Sequence, residues 1–358
     1  MRIGIDAREL CGRATGAGRY LSGLLSAWAV DESARNHSFI LYTPEALTVQ
    51  LDARRFPTRL VSRARGVWWE QVSLPRVAAA DHLDVFFAQA YTAPLLLRVP
   101  TVVTIHDVSF VAHPEWFTTR EGLRRRWLTR LAARNARAIV TVSDFSRREL
   151  IERLGVPDAR IHVLPSGIGP RSASLSTRQE PRLLYVGSIF NRRHVPDLIR
   201  AFGLVSRRHR EASLDIVGDN RSYPRENLEA TIAAEQIADR VRCRSFVADP
   251  ELRDLYARAR AFAFLSEYEG HGLTPLEAIA AGAPAVVADT PVARETCGGA
   301  ALYVPVGDVP AAARALEVAL FDEPARATLL AAAPAALAKF DWPRAARGTL
   351  KVLESVAD

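Results

Sequence analysis

Residues 261–289, AFAFLSEYEGHGLTPLEAIAAGAPAVVAD, decide the fold class of this chain. A short apolar run, AFAFLS, is followed by a glycine turn, by a helical pattern over about 274–281 and by a second apolar run, PAVVAD. Apolar runs of this length, bounded by turn residues, are typical of buried strands. Strand, helix and strand in this order predict a parallel sheet that is covered by helices on both faces.

The same alternation extends over the rest of the chain. The other strand-like runs are RIGIDA, SFILYT, DVFFAQA, TVVTIHDV, AIVTVS, IHVLPSG, LLYVGSI, SLDIVGD, VRCRSFV and ALYVPV. Helical patterns lie between them, at about 18–30, 66–80, 119–136, 144–154, 193–209, 224–238, 249–259 and 309–320. The polar stretch 169–181 has no periodicity and is predicted to be a linker. The sequence therefore predicts an α/β protein with two doubly wound, Rossmann-like domains, 1–168 and 182–340.

Length and composition agree with this organisation. A chain of 358 residues is long enough for two domains. We find no run of about 18 apolar residues that could span a bilayer, and the start, MRIGIDAREL, lacks the apolar segment of a signal peptide. Cys11, Cys243 and Cys297 are too far apart for a disulfide framework or a zinc site, so we expect no metal and a cytoplasmic location.

The positive charge is concentrated in the first half. Residues 1–170 contain 23 arginines and 16 acidic residues, whereas the remainder has 24 residues of each sign, so the net charge of +7 falls in the first half. This asymmetry indicates an anionic partner or surface for that half. We do not expect a nucleic acid, because no RNA- or DNA-binding motif accompanies the charge.

The architecture indicates where a ligand would bind. In open α/β sheets, ligands bind beyond the carboxyl ends of the strands, often at helix N-termini. Two such domains therefore predict a site in a cleft between them.

The loop after AFAFLS carries two glutamates, Glu269 and Glu277. Thr274, Pro275 and Glu277 match a capping box, in which Glu277 would contribute about 1 kcal/mol as a helix cap. That interpretation leaves Glu269 unexplained, since an acid on a glycine turn above a helix start is placed to contact a polar ligand. The residues alone leave both interpretations open.

Glu269–Glu277 resembles the E-x7-E motif of retaining glycosyltransferases with the GT-B fold, above all those of glycosyltransferase family 4. Further segments match that family in order and approximate spacing: MRIGIDARELCGRATGAGRY, WWEQVSLP, TVVTIHDVSF, VSDFSRREL, LLYVGSIFNRRHVPDLIRAF and DLYARARAFAFLSEYEGHG. The resemblance implies two Rossmann-like domains that face a cleft, the first on the acceptor side and the second binding the donor. It also implies that the last helix, 341–358, packs back on the N-terminal domain.

The resemblance assigns roles within the motif. It implies that Glu277 binds the ribose hydroxyls of a sugar nucleotide and that Glu269 lies near the donor sugar or its phosphate. The residues after Glu269 would contact the sugar through their backbone amides: Gly270, His271, Gly272 and Leu273. His271 departs from the family, which usually has an aromatic residue at this position.

A second loop, FNRRHV, places Arg192 and Arg193 at a predicted helix N-terminus. Unpaired arginines there oppose the helix macrodipole, and a bound diphosphate would relieve the conflict through charge-assisted contacts. The family usually has an Arg-Lys pair here, so Arg193 replaces a lysine. The alternative is a solvated pair in an arginine-rich protein.

Two loops of the first half complete the predicted site. His106 and Asp107 follow the strand TVVTIHDV, where a histidine is more often packed and hydrogen-bonded than catalytic. The resemblance nevertheless implies that His106 lines the donor-sugar pocket. Gly16 and Gly18 open the first helix, but Leu21 stands where a dinucleotide motif requires a third glycine. The resemblance implies instead that this loop faces the donor phosphate or sugar.

With these assignments, the resemblance implies a retaining, metal-independent transfer of a sugar from a nucleoside-diphosphate sugar, with GDP-mannose as the first candidate, to a glycan or lipid-linked acceptor. The arginines would stabilise the leaving diphosphate, so we expect no cofactor and no metal. In the resembling enzymes the leaving phosphate takes the acceptor's proton. Two alternatives remain: a sugar-nucleotide epimerase on the same scaffold, and a non-catalytic nucleotide-sugar-binding subunit.

The arginine-rich segment 119–137 bears on the acceptor. Arginines beside Trp127 and leucines suit an amphipathic helix at an anionic membrane, which would give a peripheral location at the inner face of the membrane and a lipid-linked acceptor. The alternative is a solvated helix face with Trp127 and Leu131 in the core.

Overall fold

A computed structural model describes residues 1–12, 16–61, 65–169 and 180–357. The chain divides into two units. The first unit contains Met1–Pro114, Thr119–Gly167 and Phe340–Asp358, and the second contains Glu115–Thr118 and Ile168–Lys339. The predicted linker, 169–181, lies for the most part outside the described residues.

The first unit is built on a parallel sheet that has seven strands within the described residues, in the order β3-β2-β1-β4-β5-β6-β7. The strands are β1 Arg2–Asp6, β2 Ser38–Thr43, β3 Thr58–Leu60, β4 Val85–Ala88, β5 Thr101–Thr104, β6 Ala138–Thr141 and β7 Ile161–Val163. The helices are α1 Gly16–Val30, α2 Gly66–Trp68, α3 Leu74–Ala78, α4 Ser109–Ala112, α5 Thr119–Asn135 and α6 Asp144–Leu154.

The second unit is also built on a parallel sheet. This sheet has six strands in the described chain, in the order β10-β9-β8-β11-β12-β13. Its strands are β8 Arg182–Val186, β9 Ser213–Val217, β10 Val241–Arg244, β11 Ala261–Phe264, β12 Ala285–Ala288 and β13 Ala301–Val304. Its helices are α7 Val195–Arg208, α8 Leu228–Ala234, α9 Asp249–Arg258, α10 Leu273–Ala280, α11 Pro291–Cys297, α12 Val309–Phe321 and α13 Glu323–Leu337. The predicted fold class, two doubly wound α/β domains, is confirmed.

The last helix, α14 (Trp342–Ala357), belongs to the first unit. Its buried positions, among them Ala346, Leu350 and Leu353, recur at helical spacing and join the core beside α1. Trp28 of α1 is fully buried there, stacks on Phe39 with ring centroids 5.3 Å apart, and donates its indole N–H to the Ala346 carbonyl at 2.9 Å. Within the described residues, no helix combines the length and the apolar character needed to cross a membrane.

Several local predictions were wrong. The helix predicted over 66–80 is interrupted by a π-helical turn, Trp69–Ser73, between α2 and α3. The helix predicted over 224–238 is limited to α8. Strand β3 and helices α11 and α13 were not predicted.

Candidate active site

The site is built at the centre of the second sheet. Strand β8 pairs with β9 on one side and with β11 on the other. Strands β9 and β10 therefore extend the sheet in one direction from β8, and strands β11 to β13 extend it in the opposite direction. Ligands of open α/β sheets bind at such a switch point, beyond the carboxyl ends of the strands. The loops after β8 and β11 carry the predicted arginines and the E-x7-E motif, so the sheet order brings these two sequence motifs together.

The two loops are joined by an ion pair between Arg193 and Glu269. Arg193 Nε donates to Glu269 Oε1 at 2.7 Å, and Arg193 Nη1 donates to the Ser188 carbonyl at 2.7 Å. The two side chains are only 13% and 16% exposed. Ser266 adds a third contact, because its hydroxyl donates to Glu269 Oε1 at 2.9 Å. A Cβ at Gly187 would lie 2.8 Å from Arg193 Nη1, so a glycine here leaves room for the guanidinium.

Charge determines the protonation state of Glu269. Burial alone would raise the pKa of this carboxyl, but the positive charges of Arg193 and Arg192 outweigh that effect and hold the pKa below its ordinary value. Glu269 is therefore an ionised partner of Arg193. The prediction that Arg193 is unpaired at the start of a helix was wrong: it lies in a separate 3-10 turn, Asn191–Arg193, before α7 begins.

Arg192 is held differently. Its guanidinium lies over the rings of Phe190, at 4.7 Å from the centroid, and of Trp116, at 5.8 Å. Within the described residues no acceptor hydrogen-bonds the guanidinium, and its buried Nε has no partner. Trp116 comes from the short segment Glu115–Thr118 that groups with the second unit. Arg192 is thus oriented by aromatic rings and forms no ion pair with any described residue, although its charge acts on the carboxylate of Glu269.

The capping box predicted at the start of α10 does not form. The helix begins at Leu273, two residues before Pro275, where the capping box would start it, and it follows Gly272 in the left-handed region with φ 82°. Thr274 consequently lies inside the first turn, where its buried hydroxyl has no hydrogen-bond partner among the described residues. Glu277 accepts instead from the hydroxyl of Tyr256 at 2.9 Å. The sequence prediction missed Tyr256, for which only its place in the resembling segment DLYARAR gave any signal.

A pocket in the second unit adjoins the ion pair. Glu269, His271 and Gly272 line it from one side, and Thr290 and Thr296 line it from the loop and helix after β12. His271 is buried, as is Gly270, and Leu273 is the first residue of α10. The sequence prediction named no residue after β12, although the strand itself was recognised.

The remaining predicted residues belong to the first unit. His106 is largely enclosed: its Nε2 lies 3.1 Å from the Gln89 carbonyl, and its ring packs edge-on against Tyr20. Burial lowers the pKa of His106, so the imidazole is neutral near pH 7. Asp107 accepts from the Ser109 amide at 2.8 Å and from the Tyr91 hydroxyl at 2.9 Å, so it holds its own loop.

The glycine loop is described only in part. Gly16 is the exposed first residue of α1 and Gly18 is buried in its first turn, so these glycines open the first helix as predicted. The three residues before Gly16 lie outside the described residues.

Comparison with known proteins identifies the family. Residues 14–171 match the model described as Glycosyltransferase Family 4, and residues 171–335 match the model described as Glycosyl transferases group 1. The chain belongs to the family-4-like glycosyltransferases. It is therefore an enzyme of sugar transfer, and the comparisons give the epimerase alternative no support.

Individual relatives agree with this assignment. The chain is 27% identical over 333 residues to O-antigen chain mannosyltransferase B of Escherichia coli, covering 89% of this chain and 84% of the relative. Among solved structures, it resembles sucrose-phosphate synthase of Thermosynechococcus elongatus at a TM-score of 0.78 and 20% identity, covering 99% and 98% of the two chains. It also resembles HepE of Anabaena, solved with UDP and glucose, at a TM-score of 0.76 and 21% identity, covering 99% and 100%. These likenesses show that this glycosyltransferase has the GT-B fold.

Proposed function

We propose that this glycosyltransferase moves a sugar, with retention of anomeric configuration, from a nucleoside-diphosphate sugar to a glycan or lipid-linked acceptor. The observation that carries the proposal is a pair of arginines at the switch point of the second sheet. Arg193 forms an ion pair with Glu269, and Arg192 forms no ion pair with any described residue. The name of the E. coli relative, a mannosyltransferase, supports mannose as the donated sugar and GDP-mannose as the first donor to test.

Each residue of the second unit then has a role. Arg192 binds the diphosphate through its free charge, and Arg193, held rigidly by Glu269, supplies the second guanidinium. Glu277 accepts hydrogen bonds from the ribose hydroxyls. Gly270, His271, Gly272 and Leu273 form the loop that contacts the sugar. The assignments of His106, Gly16 and Gly18 to the donor sugar stay predictions.

The proposed reaction does not require a side chain that acts as a general base. The bond between the anomeric carbon and the β-phosphate oxygen breaks while the acceptor oxygen bonds to the same face of the sugar. The leaving phosphate receives the acceptor's proton. Negative charge grows on the diphosphate during this step, and fixed guanidinium groups stabilise it without the need to reorganise. In this scheme the two arginines provide the charge that a divalent cation provides elsewhere.

Nucleotide binding tests the proposal first. Glu277→Gln is expected to weaken binding of the preferred nucleoside diphosphate by about tenfold to a hundredfold, because hydrogen bonds to a charged group contribute about 1.5–3 kcal/mol. Isothermal titration calorimetry with GDP and with UDP measures the effect and decides which base is preferred.

A matched control for this test is Tyr256→Phe. It removes only the hydroxyl that orients Glu277, so a change of a few-fold at most is expected. If the wild type and Glu277→Gln bound the nucleotide with equal affinity, Glu277 would not be a nucleotide-binding residue. Binding of neither nucleotide by the wild type would favour a non-catalytic role.

The exposed face of α5 supports a membrane-bound acceptor. Trp127 is 62% exposed and Leu123 is 55% exposed, so the alternative that places Trp127 in the core is wrong, while Leu131 is half-buried. Four exposed arginines lie on the same helical face: Arg120, Arg124, Arg130 and Arg134. Apolar side chains flanked by arginines match an anionic membrane surface, so we propose peripheral attachment through this face.

Vesicle co-sedimentation tests this attachment. Arg124→Ser with Arg130→Ser is expected to lower partitioning onto phosphatidylglycerol-containing vesicles by about tenfold or more, since each arginine near an anionic surface contributes about 1 kcal/mol. The matched control, Arg207→Ser with Arg208→Ser, removes the same charge from exposed positions of α7 and should bind as wild type does. Equal sedimentation with neutral and anionic vesicles would contradict the proposal.

A further inference from the structure

His194 occupies the junction between the arginine turn, Asn191–Arg193, and helix α7. Its φ is 50°, so a residue with a bulky side chain adopts the left-handed conformation that favours glycine. Such residues persist where the surrounding contacts hold them, and they cluster at binding and catalytic sites. The contacts of the His194 side chain therefore need to be explained.

Both nitrogens of the His194 ring face carboxylates. Nδ1 lies 3.1 Å from Oδ2 of Asp197, in the first turn of α7, and Nε2 lies 3.4 Å from Oε1 of Glu267, in the loop after β11. The side chain is 22% exposed, and the buried Nε2 forms an ion pair without the geometry of a hydrogen bond. A neutral imidazole carries a proton on one nitrogen only, so it would point a lone pair at one of the two carboxylates. The geometry therefore favours the imidazolium, which carries a proton on each nitrogen.

The ion pair with Glu267 joins two loops of the candidate active site. Glu267 lies two residues before Glu269, and its backbone amide donates to the Arg192 carbonyl at 2.9 Å. His194 directly follows Arg193, whose Nε donates to Glu269 at 2.7 Å. The arginine turn thus contacts the Glu269 loop through the main chain at Arg192, through the Arg193–Glu269 pair and through His194. Of these three contacts, only that of His194 involves a side chain whose charge ordinarily changes near neutral pH.

Carboxylates from three separate elements of the described chain surround His194. Asp197 belongs to α7 and also accepts from Arg200 Nη1 at 2.7 Å, while Glu267 belongs to the loop after β11. Burial raises the pKa of Glu226, just before α8, and a side-chain amide and the charge of His194 both oppose that rise. The hydrogen bond to Asp197 and the charge of Glu267 raise the pKa of His194 above its ordinary value of 6.5, although burial opposes them.

We propose that His194 is a positioning residue for the diphosphate site and that its protonation makes donor binding depend on pH. The charged ring holds the arginine turn against the loop that carries Glu269, and this contact keeps Arg192 and Arg193 oriented toward the diphosphate. When the ring loses a proton, its ion pair with Glu267 is lost, and the turn has one contact fewer to that loop. This inference rests on the proposed function, because it concerns the residues that bind the same nucleoside diphosphate.

The pH dependence has a defined sign. Because the pKa of His194 is raised in the folded protein, the contact is fully formed below about pH 6.5 and is lost as the pH rises through the raised pKa. The affinity that depends on His194 should therefore be greatest in mildly acid solution and should fall as the solution becomes alkaline.

His194→Asn tests the inference in the full chain. Asparagine tolerates a positive φ and is uncharged at every pH. Isothermal titration calorimetry with GDP and with UDP, from about pH 6 to about pH 9, gives the ratio of wild-type to variant affinity, in which the titration of the nucleotide's own phosphate cancels. The ratio is expected to be about threefold to tenfold at the acid end, because partly exposed ion pairs have modest energies, and to approach one as the pH rises.

His209→Asn is the matched control. His209 caps the other end of α7, and its ring nitrogens also face carboxylates: Nε2 lies 2.9 Å from Glu317 Oε1, and Nδ1 lies 3.6 Å from Glu211 Oε1. Its replacement removes a histidine with similar contacts away from the arginine turn, so the affinity ratio should stay near one at every pH. If thermal melting shows that His194→Asn does not fold, His194→Gly takes its place, since glycine accepts a positive φ without strain.

A second variant separates positioning from a simple effect of charge. Glu267→Ala removes the partner of His194 in the other loop, so in that background His194→Asn should change nucleotide affinity by less than about twofold at any pH. If His194 acted only as a positive charge near the diphosphate, its pH-dependent effect would persist without Glu267.

The outcomes separate this inference from the proposed function. A ratio that falls with rising pH, and that disappears in the Glu267→Ala background, supports the positioning role. A ratio that does not change with pH overturns it, and so does a pH-dependent ratio that persists without Glu267. Failure of the wild type to bind either nucleotide would overturn the proposed function itself, and this inference with it.

Discussion

Glu269→Ala is expected to destabilise the protein by about 3–5 kcal/mol and to abolish sugar transfer. The cause is the charge that remains: Arg193 is 13% exposed, and without Glu269 its guanidinium has no carboxylate partner in the described chain, although the Ser188 carbonyl still accepts from it at 2.7 Å. Removal of one member of a buried ion pair typically costs this much, because the other charge stays buried and uncompensated. Urea unfolding measures the stability, and donor turnover measures the activity.

The double variant Glu269→Leu with Arg193→Met separates stability from function. It removes both charges and puts apolar side chains of similar volume in their place, so much of the lost stability is expected to return. Transfer should not return, because the rigid guanidinium that faces the diphosphate is gone. Asp158→Ala breaks the exposed pair with Arg147 and should leave the unfolding midpoint almost unchanged. A double variant that regains transfer would show that the pair serves the fold alone.

The fold was predictable because its strands are buried on both faces. Runs such as VFFA and AVVA are fully buried in the sheets, and a continuous apolar run is the pattern that such strands require. Strand β3 was missed because all three of its residues are exposed at the edge of the sheet. Helix α13 was missed because an alanine-rich segment with Pro334 in its interior lacks a clear apolar stripe.

The residues of the candidate site could be predicted from the sequence, but the contacts between them could not. The residue types at Arg192, Arg193, Glu269 and Glu277 indicated nucleotide chemistry. The Arg193–Glu269 bond joins positions 76 residues apart, and it exists because β8 and β11 are neighbours in the sheet. Strand order is a long-range property that local patterns do not specify.

The two mistakes at the site have local physical causes. Gly272 adopts a left-handed conformation and takes the N-cap position of α10, two residues before Thr274, and this shift deprives Thr274 of a capping role. His194, with φ 50°, separates the 3-10 turn that holds both arginines from α7, so neither arginine occupies the first turn of that helix. Sequence patterns locate such turns only to within a few residues, and here a shift of two residues decides the role of a side chain.

Arg192→Ala is expected to lower the turnover rate by about a hundredfold to a thousandfold while leaving the protein as stable as wild type. Loss of one preorganised group that stabilises transition-state charge typically has an effect of this size. Stability should be spared because Arg192 forms no ion pair with any described residue and is held by Phe190 and Trp116 alone. Donor turnover, followed as transfer or as hydrolysis, together with thermal melting, measures both effects.

Two further variants make the prediction specific to position and geometry. Arg192→Lys keeps the charge but loses the planar group that stacks on the two rings, so an intermediate rate is expected. Arg221→Ala removes an arginine that is 55% exposed and paired with Asp219, in another loop of the second unit, and should leave turnover unchanged. If Arg192→Ala turned over at the wild-type rate, Arg193 alone would have to stabilise the leaving group. The Arg193–Glu269 pair would then account for the stabilisation of the leaving diphosphate, and the position of Arg192 beside that pair would need another explanation.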